Sequence, residues 1–297
     1  MFTIQHIKEN GLRFVALQNA SKTTTAKICL DQGARLQELK FNEVILIKEQ
    51  ADFDYKESYA SSILFPFASR IQDGKYSFLD TAHQLECNEN GKNALHGLVY
   101  DKKFELFEPE EHKDNCSATF TYYEKNVSKG FPFTYFFSVT YTLLENDLQV
   151  RITVKNTAQK PFPFTLGWHP YFYSDSLAES VLSFKSDQKV VFDENLITKN
   201  VVACSTPKTF KLKDKQLDDC FILKDNKVSF TTATYKIEIS SDSKKNYLQL
   251  YTPKDRPIIA IEPMTGVSNT FNNKIGLQVL EPEKTYVLNW NLKFINV

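Results

Sequence analysis

Charge of one sign is what this sequence most obviously lacks. Thirty-six basic and 36 acidic side chains leave its 297 residues with a formal net charge of zero. Nucleic-acid surfaces and polybasic membrane patches need a basic excess, so the composition argues against both kinds of partner. Cysteine is also sparse, with five residues at positions 29, 87, 116, 204 and 220. They are odd in number, scattered, and form no CxxC pair, which removes zinc-knuckle and thioredoxin-type motifs. Reduced thiols packed as small core residues are expected. No apolar run approaches the roughly 18 residues that a membrane span needs. Met1 to Glu9, which contains His6, Lys8 and Glu9, has no apolar core of signal-peptide length. A cytoplasmic location is the expectation.

Helical patterning is equally thin. No long segment places apolar residues at i, i+3, i+4 and i+7 between caps. There is no internal repeat, low-complexity tract or Pro/Ser-rich linker to divide the chain, so residues 1–297 read as one domain. The prevailing rhythm has period two. Leu148, Val150, Ile152 and Val154 alternate with polar partners, as do Tyr235, Ile237 and Ile239, and later Tyr286, Leu288, Trp290 and Leu292. Tyr135 to Leu144 reads the same way, and the 24 Phe and 14 Tyr suit broad sheet faces. Asp73-Gly74, Asn90-Gly91, Glu145-Asn146-Asp147 and Lys224-Asp225-Asn226 mark turns between strands. Short strands over the whole length predict an all-β sandwich or barrel.

Candidate chemistry centres on Gly167-Trp168-His169-Pro170-Tyr171-Phe172. Proline fixes its own φ and pushes the preceding residue toward extended geometry, which puts His169 on stiff backbone. Imidazole has the side-chain pKa closest to neutrality, so it can give or take a proton at working pH. The surrounding rings suit either the apolar face of a sugar or a core. Arg70 follows Phe65-Pro66-Phe67 between apolar segments and precedes a strand-like Tyr76 to Leu79. Its guanidinium is either a structural ion pair or a planar donor fork for ligand oxygens. His96 lies in Leu95-His96-Gly97 before a predicted strand at Leu98 to Tyr100. Glycine there leaves room for a ligand or permits a turn that a side chain would block. His6, His83 and His112 sit in polar, turn-like surroundings and read as surface residues.

Two acidic stretches complete the set. Asp218 and Asp219 precede the apolar run Phe221 to Leu223, and at least one of them is expected in a turn. Glu262 ends the apolar run Ile258 to Ile261 and is followed by Pro263. A carboxylate in that place is an edge residue, or one pushed into a pocket where desolvation raises its pKa toward a useful base.

Taken in order, the stretches at Arg70, His96, Gly167 to Phe172, Asp218 (three residues before Phe221) and Glu262-Pro263 resemble the aldose 1-epimerase (galactose mutarotase) family. The resemblance implies an all-β, large antiparallel β-supersandwich with a sugar site in an open cleft on one sheet. It implies a mutarotase that opens and recloses the ring of a free hexose, an isomerase with a small monosaccharide as partner. Glu262 would be the base, His169 the acid and His96 a second donor beside the ring oxygen. Arg70 and Asp218 would hold sugar hydroxyls, while Trp168 or Tyr171 contacts the ring's apolar face. No metal, nucleotide or redox cofactor is implied, and the HxH and HExxH spacings that would favour a metal are absent. The chain departs from the family in two places. Ser61-Ser62 stands where an Asn-Pro commonly precedes the Phe-Pro segment, and Asn269 stands where many members carry Asp. Both bear on sugar preference more than on the reaction. A hexose-6-phosphate epimerase and a non-catalytic sugar-binding module of the same fold stay open. A glycoside hydrolase built on Asp218 and Glu262 would leave both histidines without a role. Monomer and homodimer are equally compatible with the sequence.

Overall fold

Alternation becomes strand wherever it is sustained. The computed structural model describes residues 1–50 and 52–297. Its strands Tyr135–Leu144, Asp147–Asn156, Thr285–Asn296 and Tyr235–Ser241 lie side by side, all antiparallel. Along each, every second side chain is buried: Leu148, Val150, Ile152 and Val154 in one, Leu288, Trp290, Leu292 and Phe294 in another. A one-residue slip would put those side chains in water, so the pattern itself fixes the register.

These strands belong to a 15-stranded sheet whose path begins at the edge strand Glu105–Glu111 and passes through Asn115–Glu124 before reaching them. It continues through Asp218–Thr231, Tyr247–Tyr251 and Ile258–Met264 to the short strands Gly167–Trp168 and Ile63–Leu64. A five-stranded meander, running from Phe2–Glu9 to Val44–Ile47, packs against it. Val15, Leu17, Ile28 and Leu36 of the meander share one buried cluster with Val139, Ile152 and Leu288 of the large sheet. Tyr141 crosses between the two, its hydroxyl donating to the Ala34 carbonyl at 2.9 Å. Phe65 anchors the same core among Tyr135, Phe137, Phe162 and Phe164. Helix is confined to single turns such as Tyr55–Ser58 and Thr270–Asn273. Among the described residues no helix is long and apolar enough to cross a membrane. The all-β, antiparallel sandwich expected from the sequence is the architecture found.

Two local expectations fail, each for a backbone reason. Lys224-Asp225-Asn226 is not a turn but lies inside the strand Asp218–Thr231. That strand pairs with Tyr247–Tyr251 at one end and with Tyr235–Ser241 at the other. The polar triplet marks where it changes partners, opposite a register shift around Ser186 in the neighbouring strand. Leu98 to Tyr100 is not a strand, because His96 (φ +62°) and Gly97 (φ +78°) turn the chain just before it. Pairing there consists of Ala94–Leu95 against Arg70–Ile71 and a single parallel bridge from Gly97 to Phe65.

Candidate active site

Three neighbouring strands of the large sheet build the floor of the site through their pleat. Gln249 lies opposite both Cys220 and Glu262, while Tyr251 lies opposite Asp218 and Ala260. Tyr171 in turn faces Ala260. Because side chains alternate along a strand, residues 218, 220, 249, 251, 260, 262 and 171 all share one face. On the opposite face Leu248, Leu250, Ile259 and Ile261 join the main core. Strand Ile258–Met264 is thus covered on both sides, which explains its unbroken apolar run. Glu262 lies within that strand rather than at its end.

His169 reaches Glu262 because the strand beside it is interrupted. Gly167 pairs with Met264 and Tyr171 with Ala260, but the ladder lapses between them. Pro170 has no N–H to offer the ladder. His169 instead donates its amide to the Ser62 carbonyl at 3.0 Å and accepts from the Ser61 amide at 2.8 Å. The Ser61-Ser62 departure is therefore the segment that fixes the backbone of His169. With the ladder open there, His169 Nε2 lies 3.5 Å from Glu262 Oε1. The His169 ring stacks on Tyr171 at 4.9 Å and meets the edge of His96 at 5.1 Å. Nδ1 of both histidines is buried without a hydrogen-bond partner among the described residues.

Arg70, paired with Leu95 in a two-residue ladder, and His96, the residue just after that ladder, form the wall. Gly97 is required there for backbone reasons, because a Cβ would stand 2.3 Å from the Phe65 carbonyl oxygen. Of the two readings of that glycine, the structure selects the turn. Arg70 is held by Glu89: Nε donates to both carboxylate oxygens at 2.9 and 3.0 Å, and Nη2 to one at 2.6 Å. Asp218 accepts from Gln249 Nε2 at 2.6 Å.

Together these residues line an open cavity of about 500 Å³ that also includes Phe53, Tyr59, Glu89, Gln249 and Tyr251. Burial sets its electrostatics. It pushes the Glu262 carboxyl well above the usual carboxylate range, helped by the Asp218 charge and opposed by Arg70. It pulls His169 down to about 3. His96 is also lowered, by burial first and then by His169 and Arg70. Asp218 is raised by burial and by Asp219, against Arg70 and the Gln249 hydrogen bond. A buried carboxyl and imidazole in contact, each displaced toward its neutral form, can exchange one proton.

Of the residues expected at the site, Arg70, His96, His169, Tyr171, Asp218 and Glu262 meet in this cavity. Trp168 does not. It alternates away from His169, is fully buried, and stacks on Trp290 at 6.2 Å, so its indole packs the core instead of facing a ligand. The expected turn at Asp218-Asp219 is likewise corrected, since both lie in strand, where opposite faces separate them. Asp218 faces the cavity, whereas Asp219 pairs with Lys189. Asn269 lies off the cavity wall. Its amide donates to the Arg70 carbonyl at 2.6 Å and its side-chain oxygen accepts from the Gln72 amide at 3.2 Å. Reading the sequence missed Glu89 and Gln249. Glu89 opens the Asn90-Gly91 turn, a signal that marks a loop but not what it holds. Gln249 is the one polar residue in the alternating strand Tyr247–Tyr251. Among the described residues no group of three or more His, Cys, Asp or Glu side chains is arranged to hold a metal ion.

The sequence profile of the aldose 1-epimerase family matches residues 13–293, and the chain belongs to that family. It is 26% identical over 273 residues to the uncharacterized protein YihR of Escherichia coli strain K12, covering 88% of this chain and 87% of that one. Its fold resembles that of a galactose mutarotase-like protein from Clostridium acetobutylicum. The TM-score is 0.88 at 19% identity, with 100% of this chain and 99% of the other covered. Galactose 1-epimerase from Lactobacillus acidophilus superimposes with a TM-score of 0.84 at 16% identity, over 100% and 99% of the two chains.

Proposed function

We propose that this protein is an aldose 1-epimerase that interconverts the α and β anomers of a free hexose. The observation that carries the reading is the buried 3.5 Å contact between His169 Nε2 and Glu262 Oε1 on the cavity floor. Anomer exchange breaks the C1–O5 bond, rotates the aldehyde about C1–C2, and recloses the ring on its other face. Opening removes the C1 hydroxyl proton and delivers a proton to O5. Glu262 takes the first proton and His169 gives the second; closure reverses both transfers, so the protein ends as it began. Burial favours the neutral forms of the pair, while the Arg70 charge favours the Glu262 carboxylate. Sugar hydroxyls entering the cavity supply donors to that carboxylate in place of water. His96, with its ring edge against His169, stands beside the ring oxygen as a second donor. Arg70 and Asp218 hold hydroxyls, and Tyr171 offers a ring face.

Mutarotation also proceeds in water, so the activity is a rate above background. Polarimetry on freshly dissolved α-D-glucose and α-D-galactose tests it. The native protein is expected to speed relaxation. Glu262→Gln and His169→Asn are each expected to lose about 10²–10⁴-fold of that acceleration, the usual worth of a positioned acid or base. Acceleration that survives Glu262→Gln would remove Glu262 as the base. No acceleration of either sugar would overturn the reading.

A further inference from the structure

Arg70 is a strong anion receptor by chemistry, and the cavity does not leave it free to be one. A guanidinium carries five N–H donors in a planar fork that matches a carboxylate or phosphate edge. Here one such edge is already taken by Glu89, through Nε and Nη2. Nη1 makes no hydrogen bond to the protein among the described residues. Glu89 is itself held in place: Asn93 Nδ2 donates to its second oxygen at 3.0 Å, and backbone bonds between residues 89 and 93 close the loop around it. Asn93 is buried and fixes that loop further by accepting from the Asp73 amide at 3.2 Å. The backbone of Arg70 is tied on its other side by the Asn269 amide.

An ion pair whose partners are 18% and 23% exposed adds little to stability. Its consequence here is electrostatic. Apart from Glu262, which burial drives toward its neutral form, Glu57, Glu89 and Asp218 line the cavity against two cations, Arg70 and Lys56. With its charge offset by Glu89 and its Nε/Nη2 edge occupied, Arg70 offers an entering phosphate or carboxylate only the end-on Nη edge, in a cavity of net negative charge. A hydroxyl needs only the remaining Nη1 donor and the Asp218 acceptor. We infer that Glu89 is a specificity-determining residue: it positions Arg70 as a hydroxyl donor and prevents it from receiving the anionic group of a phosphorylated or acidic sugar. The inference rests on the sugar-isomerase reading for its substrate, but its readout is separable from turnover.

The test compares D-galactose, D-glucose and D-glucose 6-phosphate by polarimetry and, independently, by isothermal titration calorimetry. Native protein is expected to bind the phosphate ester at least about 10-fold more weakly than the better free sugar. Glu89→Gln releases the fork without changing side-chain size, and is expected to tighten glucose 6-phosphate about 10-fold while raising KM for the free sugar more than it lowers kcat. Glu89→Asp keeps the charge and is expected to restore the exclusion. A merely structural Glu89 would lose affinity for every ligand and gain none. Turnover of free sugars with equal or better use of the phosphate ester by native protein would overturn the inference while leaving the isomerase reading intact. Selective calorimetry without turnover would do the reverse. Unchanged discrimination in Glu89→Gln would overturn the role of Glu89, and the native comparison stands even if that variant does not fold.

Discussion

The floor and the wall of the cavity deal with charge in opposite ways. On the floor, Glu262 and His169 have side chains only 3% and 6% exposed, and burial drives both toward neutrality. On the wall, Arg70 and Glu89 form an ion pair and offset each other. The proposed proton transfer suits the first arrangement, because a carboxyl and an imidazole in buried contact can pass one proton between them without bulk water. Recognition of hydroxyls needs the second, because a fixed donor is more selective than a free charge. The difference follows from the supporting elements. A central strand covered on both faces carries Glu262, whereas a short ladder beside an open turn carries Arg70.

The largest effect that would sharpen this contrast lies in the pH dependence of stability. His169 is held well below its unfolded value of 6.5, at about 3. The unfolded chain therefore takes up a proton before the folded one does. The contribution of His169 is intact above about pH 6.5 and is lost as pH falls toward 3. At about 1.4 kcal/mol per pH unit the loss approaches about 5 kcal/mol. Urea denaturation of native protein and His169→Asn from pH 7 to 3 should show that slope in the native protein and not in the variant. Glu262 has the opposite sign. Its raised pKa costs stability above the ordinary carboxylate range, so Glu262→Gln should gain on native protein as pH rises from 5 to 8. Parallel curves for native protein and both variants would mean that the floor pair is not held neutral.

Next in size is the packing side of the motif that carries His169. Trp168→Ala should cost about 3–5 kcal/mol in a denaturation midpoint, the range for a fully buried aromatic. KM for the sugar should be unchanged in the folded fraction; a raised KM at intact stability would return Trp168 to the ligand. The smallest effects distinguish two adjacent aspartates of the floor strand Asp218–Thr231. Asp218→Asn removes a cavity acceptor and should raise KM about 5–10-fold, near 1 kcal/mol for one hydrogen bond. Asp219→Asn breaks a partly exposed pair with Lys189 and should move neither KM nor stability by more than about 0.5 kcal/mol. Equal effects of the two would erase the distinction that the strand pleat makes between them.

Much of this was legible before any coordinates. Period two determined the strands from Tyr135 to Asn156 and from Tyr235 to the C-terminal run, because a half-buried pleat must alternate. Proline after His169 pointed to stiff backbone at the histidine, and the apolar run to Ile261 left Glu262 as either an edge residue or one pushed into a pocket. What remained hidden depends on contacts between residues far apart in the chain. Which face Trp168 and Asp219 take follows from the register with strands about 100 and 30 residues away. The meeting of His169 with Glu262 depends on Ser61 and Ser62 claiming a backbone that the neighbouring strand leaves unpaired. Glu89 carried no local signal, since the guanidinium that makes it meaningful is 19 residues earlier. Side-chain periodicity is a property of neighbours in sequence and can be read there. Proximity across strands, and the pKa values it creates, arises only when the sheet closes over them.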